Sequence, residues 1–308
     1  MNLRPTCIGF GLIVGGVLAF STTPARSASL FSFGTDFSYP GTGTVNSCSS
    51  MTQCDIALEK IIAGNQSWQL DELFRVTETA LLSNVEGLIA SDGTGSVGGI
   101  SLDKGDFATG VAQESLAVES NVSRRGQFNT SRVERGIVET LGNHQQSIFN
   151  LNDIIDTEDN GVEGTPDEGG VFTMDLLFNQ GNSFNSVFLW ERGMNSDIEI
   201  QPIYEVVDNQ TTTVGDAVKI SGSQWDDAGY SIDTTEIDVA QNVGSKGIHF
   251  ESTIKGVRVI GKKQFDGADF KIVAGTKTAI PEPRALAGIA TVTGLFAVSR
   301  RRRVSTNS

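Results

Sequence analysis

The sequence lacks the motifs that mark the common hydrolases. It has no Gly-x-Ser-x-Gly segment, which forms the nucleophile elbow of α/β-hydrolases. The segment Asp233-Thr234-Thr235 departs from the Asp-Thr/Ser-Gly motif of aspartic proteases and has no second copy. Acidic residues number 37, so the presence of paired carboxylates, which glycosidases require, carries no information here. We therefore expect a protein without catalytic activity.

Basic residues are scarce outside the two ends of the chain. The full sequence has 23 lysines and arginines against 37 aspartates and glutamates. Seven of the arginines and one glutamate lie in the terminal segments, which leaves a body with 16 basic and 36 acidic side chains and a net charge of −20. Such a surface repels phosphate groups and anionic lipids, so nucleic acid is not an expected partner.

No apolar run reaches the length of about 20 residues that a membrane-spanning helix needs. The first of two shorter runs, residues 7–20, follows a basic residue and precedes a stretch of small residues. That order is typical of a secretory signal peptide, which we expect over residues 1–28. Cleavage after Ala25, Ala28 or Ser29 stays open, and the alternative is an N-terminal anchor that remains attached.

The second apolar run, residues 285–298, lies near the C-terminus in a different arrangement. The residues that flank it are a Pro-Glu-Pro motif before it and an arginine cluster after it: Pro281, Glu282, Pro283, Arg300, Arg301, Arg302 and Arg303. Positive charge beside an apolar segment stays on the cytoplasmic side, so we expect this tail to hold the body outside the membrane. The prolines prevent a regular helix and keep the motif extended and accessible to an enzyme. The alternative, a buried helix followed by a basic patch, conflicts with the export signal.

Pro-Glu-Pro, a short apolar helix and a terminal arginine cluster, over residues 280–303, together resemble the PEP-CTERM sorting signal. The resemblance implies recognition of the motif by an exosortase, a membrane cysteine transpeptidase that cleaves near it. It also implies transient anchoring in the inner membrane, followed by release or attachment at the cell surface. Proteins of this kind often belong to bacteria that produce exopolysaccharide or form biofilms.

Of the 3 cysteines, Cys7 falls in the expected signal peptide, which leaves Cys48 and Cys54 in the exported chain. Two cysteines this close in an oxidising compartment are expected to form a local disulfide. A metal pair is the alternative, but it lacks the histidine or cysteine partners of a zinc site, since His144 and His249 are the only histidines.

The body is rich in glycine and small polar residues, and turn signals recur about every ten residues. This cadence predicts a mostly β protein, built as an antiparallel β-sandwich or jelly roll. We expect an N-terminal part over residues 29–150, an acidic loop or linker over residues 151–170, and a β-sandwich portion over residues 171–277.

Helices are predicted only near the start of the body. Residues 53–62 are expected to form a helix capped by Thr52, and residues 67–73 a second, short one. Residues 74–81 and 132–141 instead read as half-buried strands with alternating polar and apolar side chains. Six further strands are predicted in the second half, at residues 171–178, 186–190, 198–204, 217–220, 256–260 and 269–273.

Three segments of the second half also resemble signatures of small exosortase-dependent surface proteins, known mostly from cyanobacteria: residues 188–197, 225–237 and 265–273. Those proteins carry such segments directly before the sorting tail, as this chain does. The resemblance covers residues 150–303. It implies location and processing, and it implies no activity.

The acidic loop offers oxygen donors at spacings similar to those of an EF-hand calcium loop. With Asp156 at position one, Glu158, Asn160 and Asp167 take positions three, five and twelve. Position eight is the charged Glu163, and neither flank is convincingly helical, so a solvated acidic linker is the favoured interpretation. Calcium is the alternative, and no other cofactor is expected.

Trp190, Trp225 and Tyr230 are the aromatic residues considered for a sugar-binding platform, because flat rings stack on the apolar faces of sugars. Large aromatic side chains more commonly belong to the core, since they supply large buried areas. Core burial is therefore the favoured interpretation, and a platform is the alternative.

Taken together, these features predict an exported surface or extracellular-matrix protein without catalytic activity. Its expected partner is an exosortase-type membrane transpeptidase that acts on the C-terminal tail. The alternative function is a carbohydrate-binding or adhesive module of the exopolysaccharide matrix.

Overall fold

The computed structural model describes residues 27–39, 56–85, 122–123, 128, 132–142, 149–155, 171–179, 182–232, 240–265 and 267–277. Within these ranges the chain forms 16 β-strands and one α-helix. Every pairing between these strands is antiparallel. The prediction of a mostly β protein with antiparallel sheets is confirmed.

The strands and the helix have the following bounds. Strands β1 to β8 are Ala28–Phe31, Gly34–Ser38, Ala57–Ala63, Gln66–Gln69, Leu73–Phe74, Val76–Val85, Val122–Ser123 and Val171–Phe178. Helix α1 is Arg132–Gly142, between β7 and β8. Strands β9 to β16 are Phe184–Arg192, Ile198–Val207, Gln210–Val214, Val218–Ile220, Asp226–Ile232, Gln241–Ile254, Gly256–Gly261 and Phe270–Gly275. Short 3-10 turns occupy Leu70–Glu72, Gly222–Gln224 and Lys263–Phe265.

The strands form three sheets. The first sheet has the order β1-β14-β9-β16-β5, and β13 also pairs with β14. The second sheet has the order β11-β10-β15-β8-β6-β7, and β12 also pairs with β10. The third sheet consists of β2, β3 and β4. The chain changes sheet at each step of β8-β9-β10 and of β14-β15-β16, whereas β10, β11 and β12 share the second sheet and β13 and β14 share the first.

The first and second sheets share one hydrophobic cluster, here called the inner cluster. On β8 every second side chain belongs to it, which is the alternation expected of a strand with one buried face. Eight of its members, from both sheets, are Phe172, Met174, Leu176, Phe178, Leu189, Phe250, Phe270 and Ile272. Each of these is at most 1 % exposed. Full burial of such a side chain stabilises the fold by about 1.5–3 kcal/mol, so this cluster is a main source of stability.

A second cluster, here called the outer cluster, lies between the first sheet and the three-stranded sheet. From β9 it takes Phe188 and Trp190, and from the third sheet Leu58, Ile61 and Trp68. All five side chains are at most 1 % exposed. Strand β9 is therefore buried on both faces, which explains its continuous run of apolar residues.

The two helices predicted near the start of the body are wrong. Residues 57–63 form β3 and residues 66–69 form β4, with a single 3-10 turn at Leu70–Glu72. Gly64, with φ of 59°, closes the turn between the two strands. The apolar side chains of Leu58 and Ile61 are buried against the first sheet, so tertiary packing overrides the local helix signals.

The strand predicted over residues 132–141 is also wrong, because this segment is helix α1. Ile137, Val138 and Leu141 pack into the inner cluster. Their spacing of one, three and four residues matches one face of a helix and not the alternation of a strand. The helix packs against β6 of the second sheet and β16 of the first, and so covers one edge of the inner cluster.

The other predicted strands are confirmed. Residues 171–178 are β8, and the remaining predicted segments of the second half fall in β9, β10, β12, β15 and β16. Residues 74–81 belong to β5 and β6. The strands were predictable because their alternation is set by burial between two sheets.

Lys271 on β16 reaches the last turn of α1. Its side chain is fully buried, and Nζ donates to the carbonyl oxygen of Thr140 at 2.9 Å. Burial lowers the pKa of Lys271 from 10.5 to about 8, against the negative charge of Asp153, which raises it, and with a smaller lowering by the positive charge of Arg75. The lysine satisfies a helix-end carbonyl that would otherwise be buried without a partner.

The buried lysine predicts a pH dependence of stability. The unfolded chain holds the Lys271 proton up to about pH 10.5 and the folded chain up to about pH 8, so the free energy of unfolding should rise with pH across this window. In Lys271→Met the rise should be smaller by up to about 1.4 kcal/mol per pH unit. Urea unfolding at pH 7.5, 9 and 10 measures it, with Lys60→Met, at the protein surface, as the control. An identical rise in both variants would contradict the prediction.

Candidate functional site

Most residues predicted to take part in sorting, cross-linking or calcium binding lie outside the described ranges. They are Cys48, Cys54, Asp156, Glu158, Asn160, Asp167, Pro281, Glu282, Pro283, Arg300, Arg301, Arg302 and Arg303. Among the residues that the structure does describe, no three His, Cys, Asp or Glu side chains are grouped to hold a metal ion.

The three aromatic residues considered for a sugar platform lie in the interior. Trp190 is fully buried, and Trp225 and Tyr230 are 6 % and 4 % exposed. Trp190 and Tyr230 belong to the outer cluster, whereas Trp225 belongs to the inner cluster, so the rings do not share a surface. The indole N–H groups bond internally, Trp190 to Thr35 Oγ1 and Trp225 to the Ser196 carbonyl, both at 2.8 Å. Stacking on a sugar needs an open ring face, so the platform alternative is corrected and these rings belong to the core.

A cavity of about 360 Å³ opens at one end of the second sheet. Its polar lining residues come from β6, the β8–β9 connection, the β10–β11 hairpin and the β14–β15 turn: Glu78, Asn182, Tyr204, Glu205, Asn209 and Lys255. Leu177, Phe178 and Val206 supply apolar walls. The volume falls in the range of about 300–1,000 Å³ that is usual for small-molecule sites.

Glu78 faces this cavity because β6 is bulged. The pairing of β6 with β8 shifts between Val76, opposite Phe178, and Glu78, opposite Leu177. In a regular strand, side chains two residues apart share a face, so Glu78 would point with Val76 into the inner cluster. The extra residue of the bulge turns Glu78 to the other face of the sheet, beside Leu177.

The carboxyl group of Glu78 has no partner among the described residues. The side chain is only 6 % exposed, and no hydrogen-bond donor or cation from the described ranges contacts its oxygens. Burial raises the pKa of Glu78 above its usual 4.5. A buried carboxylate without a partner destabilises a fold, so this residue is one that the fold alone does not explain.

Asp175, on the same face of the second sheet, is a buried carboxylate that has a partner within the fold. Its two oxygens accept from Arg258, from Nε at 2.6 Å and from Nη2 at 3.0 Å. Such a bidentate pair satisfies both oxygens of a fully buried carboxylate. The contrast singles out Glu78, two positions away on that face, as available to an external group.

The β10–β11 hairpin forms one side of the cavity. Its turn residues, Asp208 and Asn209, have φ of 50° and 60°, the pair of left-handed conformations of a tight hairpin turn. Glu205 Oε2 accepts from the hydroxyls of Thr212 at 3.3 Å and Thr213 at 3.2 Å. These bonds join the two strands and engage one oxygen of Glu205 within the hairpin.

Lys255 connects two other sides of the cavity. Its backbone N–H donates to the Ile203 carbonyl at 2.8 Å, and its Nζ donates to Ser183 Oγ at 2.8 Å. The ammonium group therefore lies between the β14–β15 turn and the β8–β9 connection. The lining as a whole combines a free acceptor, several donors and two aromatic rings, the mixture by which proteins orient small polar ligands.

Sequence reasoning did not single out Glu78. The available signal was its position in the predicted strand over residues 74–81, where regular alternation places it among Phe74, Val76 and Ala80. A charged residue on an otherwise apolar face indicates either a bulge or a polar site. No comparable local signal marks Tyr204 or Asn182, because the topology alone brings them to the same place.

The described parts of residues 188–197, 225–237 and 265–273 meet at one end of the first sheet. Arg192 forms a buried ion pair with Asp269, and the Asp197 N–H donates to the Phe265 carbonyl at 2.9 Å. The indole N–H of Trp225 donates to the Ser196 carbonyl, between β9 and β10, at 2.8 Å. The fold thus assembles these segments around an enclosed ion pair.

Glu191 lies beside this ion pair and is fully buried. Burial raises the pKa of Glu191 well above its usual 4.5, and the negative charge of Asp269 raises it further. The Ser196 hydroxyl and the N–H groups of Met194 and Ser196 act in the opposite direction, without cancelling the rise. The group is enclosed by the fold, so its consequence is a pH dependence of stability.

The last described residues are fixed to the body by a set of hydrogen bonds, here called the C-terminal clamp. Asn185 accepts from the Lys277 N–H at 2.6 Å and donates to the Lys277 carbonyl at 2.9 Å, as a neighbouring strand would. Trp68 Nε1 donates to the Thr276 carbonyl at 2.9 Å. The Lys277 ammonium lies 4.6 Å from the centre of the Phe31 ring on β1. These bonds fix residues 276 and 277, just past β16, to β4 and β9.

Comparison with known proteins finds no match. No family model matches the chain, and neither a curated protein nor a solved structure is significantly similar to it.

Helix α1 has 11 residues. No helix within the described ranges is long and apolar enough to cross a membrane.

The buried Glu191 predicts that part of the stability is lost as pH rises. The unfolded chain releases the Glu191 proton near pH 4.5 and the folded chain at a higher pH, so the free energy of unfolding should fall with pH above 4.5. Glu191→Gln should remove this fall, at up to about 1.4 kcal/mol per pH unit, and should be more stable than the parent at pH 8.

Thermal unfolding between pH 5 and pH 8 measures the difference. Glu251→Gln is the matched control, because Glu251 is exposed on β14. A parallel pH profile for Glu191→Gln and the parent would show that Glu191 is ionised in the folded state at all these pH values.

Proposed function

We propose that the protein is an exported, non-catalytic surface or matrix protein whose tail is processed by an exosortase-type transpeptidase. The observation that carries the proposal is the order of three features: Pro281-Glu282-Pro283, the apolar run of residues 285–298, and the arginine cluster. The apolar run is shorter than the about 20 residues of a stable span, and the arginines oppose its passage through the membrane. Such a tail holds the body at the membrane only until it is cleaved.

The C-terminal clamp supports this proposal. It fixes the last described residues to the body, and Pro281 follows Lys277 four positions later in the sequence. Cleavage near the motif would remove no residue of the three sheets and none of the clamp. The body should therefore keep its fold after processing.

The start of the body supports cleavage of the signal peptide after Ala25. Strand β1 pairs with β14 from Ala28 onward, and the Ser27 carbonyl accepts from the Glu251 N–H at 3.1 Å. Cleavage after Ala28 or Ser29 would remove residues that form this pairing. Cleavage after Ala25 leaves all of β1 in the mature chain.

We further infer that the body is a jelly-roll sandwich. The first sheet contains the run β5-β16-β9-β14, and the second contains β8-β15-β10-β11. The chain crosses between the two sheets from β8 to β9 to β10 and from β14 to β15 to β16, and the inner cluster fills the space between the sheets. This is the arrangement of a double-sheet jelly roll, which hosts lectin domains among others.

The second candidate function is a carbohydrate-binding or adhesive module of the extracellular matrix. The cavity and Glu78 favour it, because this carboxyl group, unlike the enclosed Glu191, faces an open cavity in which a ligand would donate to it. The two functions are compatible, since a matrix protein can be retained by the polymer that it binds.

The sorting proposal predicts the mass of the mature C-terminus. In a host that contains an exosortase, the mature protein should end near residues 280–284 and lack the arginine cluster. Pro281→Ala with Glu282→Ala should keep the arginines and stay in the membrane fraction, since the recognised motif is lost. Intact-mass spectrometry of the secreted and membrane-bound protein measures both.

Pro166→Ala with Glu168→Ala is the matched control, because it changes the same residue types within the acidic loop. It should be processed like the parent. Parent protein outside the cell that still carries Arg300 to Arg303 would rule the sorting proposal out.

A further inference from the structure

We infer that the cavity beside the β10–β11 hairpin binds a neutral, hydroxyl-rich saccharide unit, and that Glu78 accepts hydrogen bonds from its hydroxyl groups. The inference deepens the second candidate function and rests on it. It is independent of how the C-terminal tail is processed.

Glu78 is costly to the fold. The bulge in β6 directs this carboxyl group into the cavity, where it is 94 % buried by relative area and has no donor among the described residues. Asp175 on the same face is paired with Arg258 through two bonds. Glu78 therefore weakens the ligand-free protein, and such a cost is typical of residues kept for binding.

The charges that line the cavity limit which ligand supplies the donor that Glu78 lacks. Anionic ligands are disfavoured, because both Glu78 and Glu205 line the cavity and would repel a phosphate or carboxylate. A bare divalent cation is disfavoured as well, since Lys255 lies in the wall and Glu205 is engaged by two threonines. A neutral molecule with several hydroxyl groups has no charge for the two glutamates or for Lys255 to repel.

The cavity lining has both apolar and polar groups with which to hold a sugar ring. Tyr204 and Leu177 offer apolar surface for its C–H groups, whereas Asn182 and Asn209 offer amide donors and acceptors for its hydroxyls. A hydroxyl that donates to the Glu78 carboxylate makes a charge-assisted hydrogen bond, which is stronger than a neutral one. Asn182, Glu205 and Asn209 are exposed, so the cavity is open at this side toward a longer polymer.

Binding through the Glu78 carboxylate should depend on pH. Burial raises the pKa of Glu78 above 4.5, so this group takes up a proton at a higher pH than an exposed glutamate. Protonation removes the charge that strengthens the hydrogen bond. Affinity should therefore fall as the pH is lowered toward and below the raised pKa of Glu78. Glu205, Lys255 and Tyr204 are the other ionisable groups that line the cavity.

The experiment is calorimetric titration of the full-length protein with cellotetraose, xylotetraose and mannotetraose at pH 7.5 and pH 5, with a thermal melt of each ligand-free variant. The parent should bind at least one of the three, more weakly at pH 5. Glu78→Gln should lower that affinity about tenfold or more, because it loses the charge-assisted bond. The same variant should melt at a higher temperature than the parent when no ligand is present. This opposite movement of affinity and stability would not arise from damage to the fold.

Glu251→Gln is the control, since it removes an exposed carboxylate on the other sheet. It should leave affinity and melting temperature unchanged. Parent protein that binds none of the oligosaccharides, or Glu78→Gln protein that binds as tightly as the parent, would overturn the inference. So would calcium chloride that raises the melting temperature of the parent and not of Glu78→Gln, because the cavity would then be a cation site. A protein that binds no oligosaccharide but loses its tail in cells would overturn this inference and leave the sorting proposal intact.

Discussion

The structure depends on the burial of β9 on both of its faces. Val187 and Leu189 pack into the inner cluster, and Phe188 and Trp190 into the outer cluster, so one strand links all three sheets. It also pairs with β14 on one side and with β16 on the other. A polar change on β9 would therefore affect both clusters at once. The same strand begins next to Asn185 of the C-terminal clamp and ends at Arg192 of the enclosed ion pair.

Burial also decides which parts of the fold can be predicted from the sequence. Strands β8 and β10 alternate because one face meets the inner cluster, whereas β9 and β16 contain unbroken apolar runs because both of their faces are buried. Both patterns predict strands, and six strands of the second half follow from them. Residues 53–62 were misread because local caps and apolar spacing favour a helix, whereas Leu58 and Ile61 gain more by packing on the first sheet. In α1 the charged residues around Val133 and Ile137 suggest the alternation of a strand, although the buried side chains have the spacing of a helix face. In both places the error arose where tertiary packing and local pattern disagree.

The candidate site was less predictable than the fold, for a geometric reason. A bulge adds one residue and reverses the face of every side chain beyond it, so a regular reading puts Glu78 in the core. The aromatic residues considered in its place are those that a sheet protein buries first, and Trp190 and Trp225 indeed complete the two clusters. The fold pairs the buried Asp175 with an arginine and leaves Glu78, which faces the cavity, without a donor among the described residues. That asymmetry depends on which strands are neighbours, and no local pattern encodes it.

The cavity and the C-terminal clamp meet at the connection between β8 and β9. Asn182 lines the cavity, Ser183 binds Lys255 in its wall, and Asn185, two residues later, holds Lys277. One short segment thus borders both the place where a ligand would bind and the last described residues of the chain. The ligand site depends on the bulge in β6, whereas the proposed processing depends on the motif at residues 281–283, so each can be lost without the other.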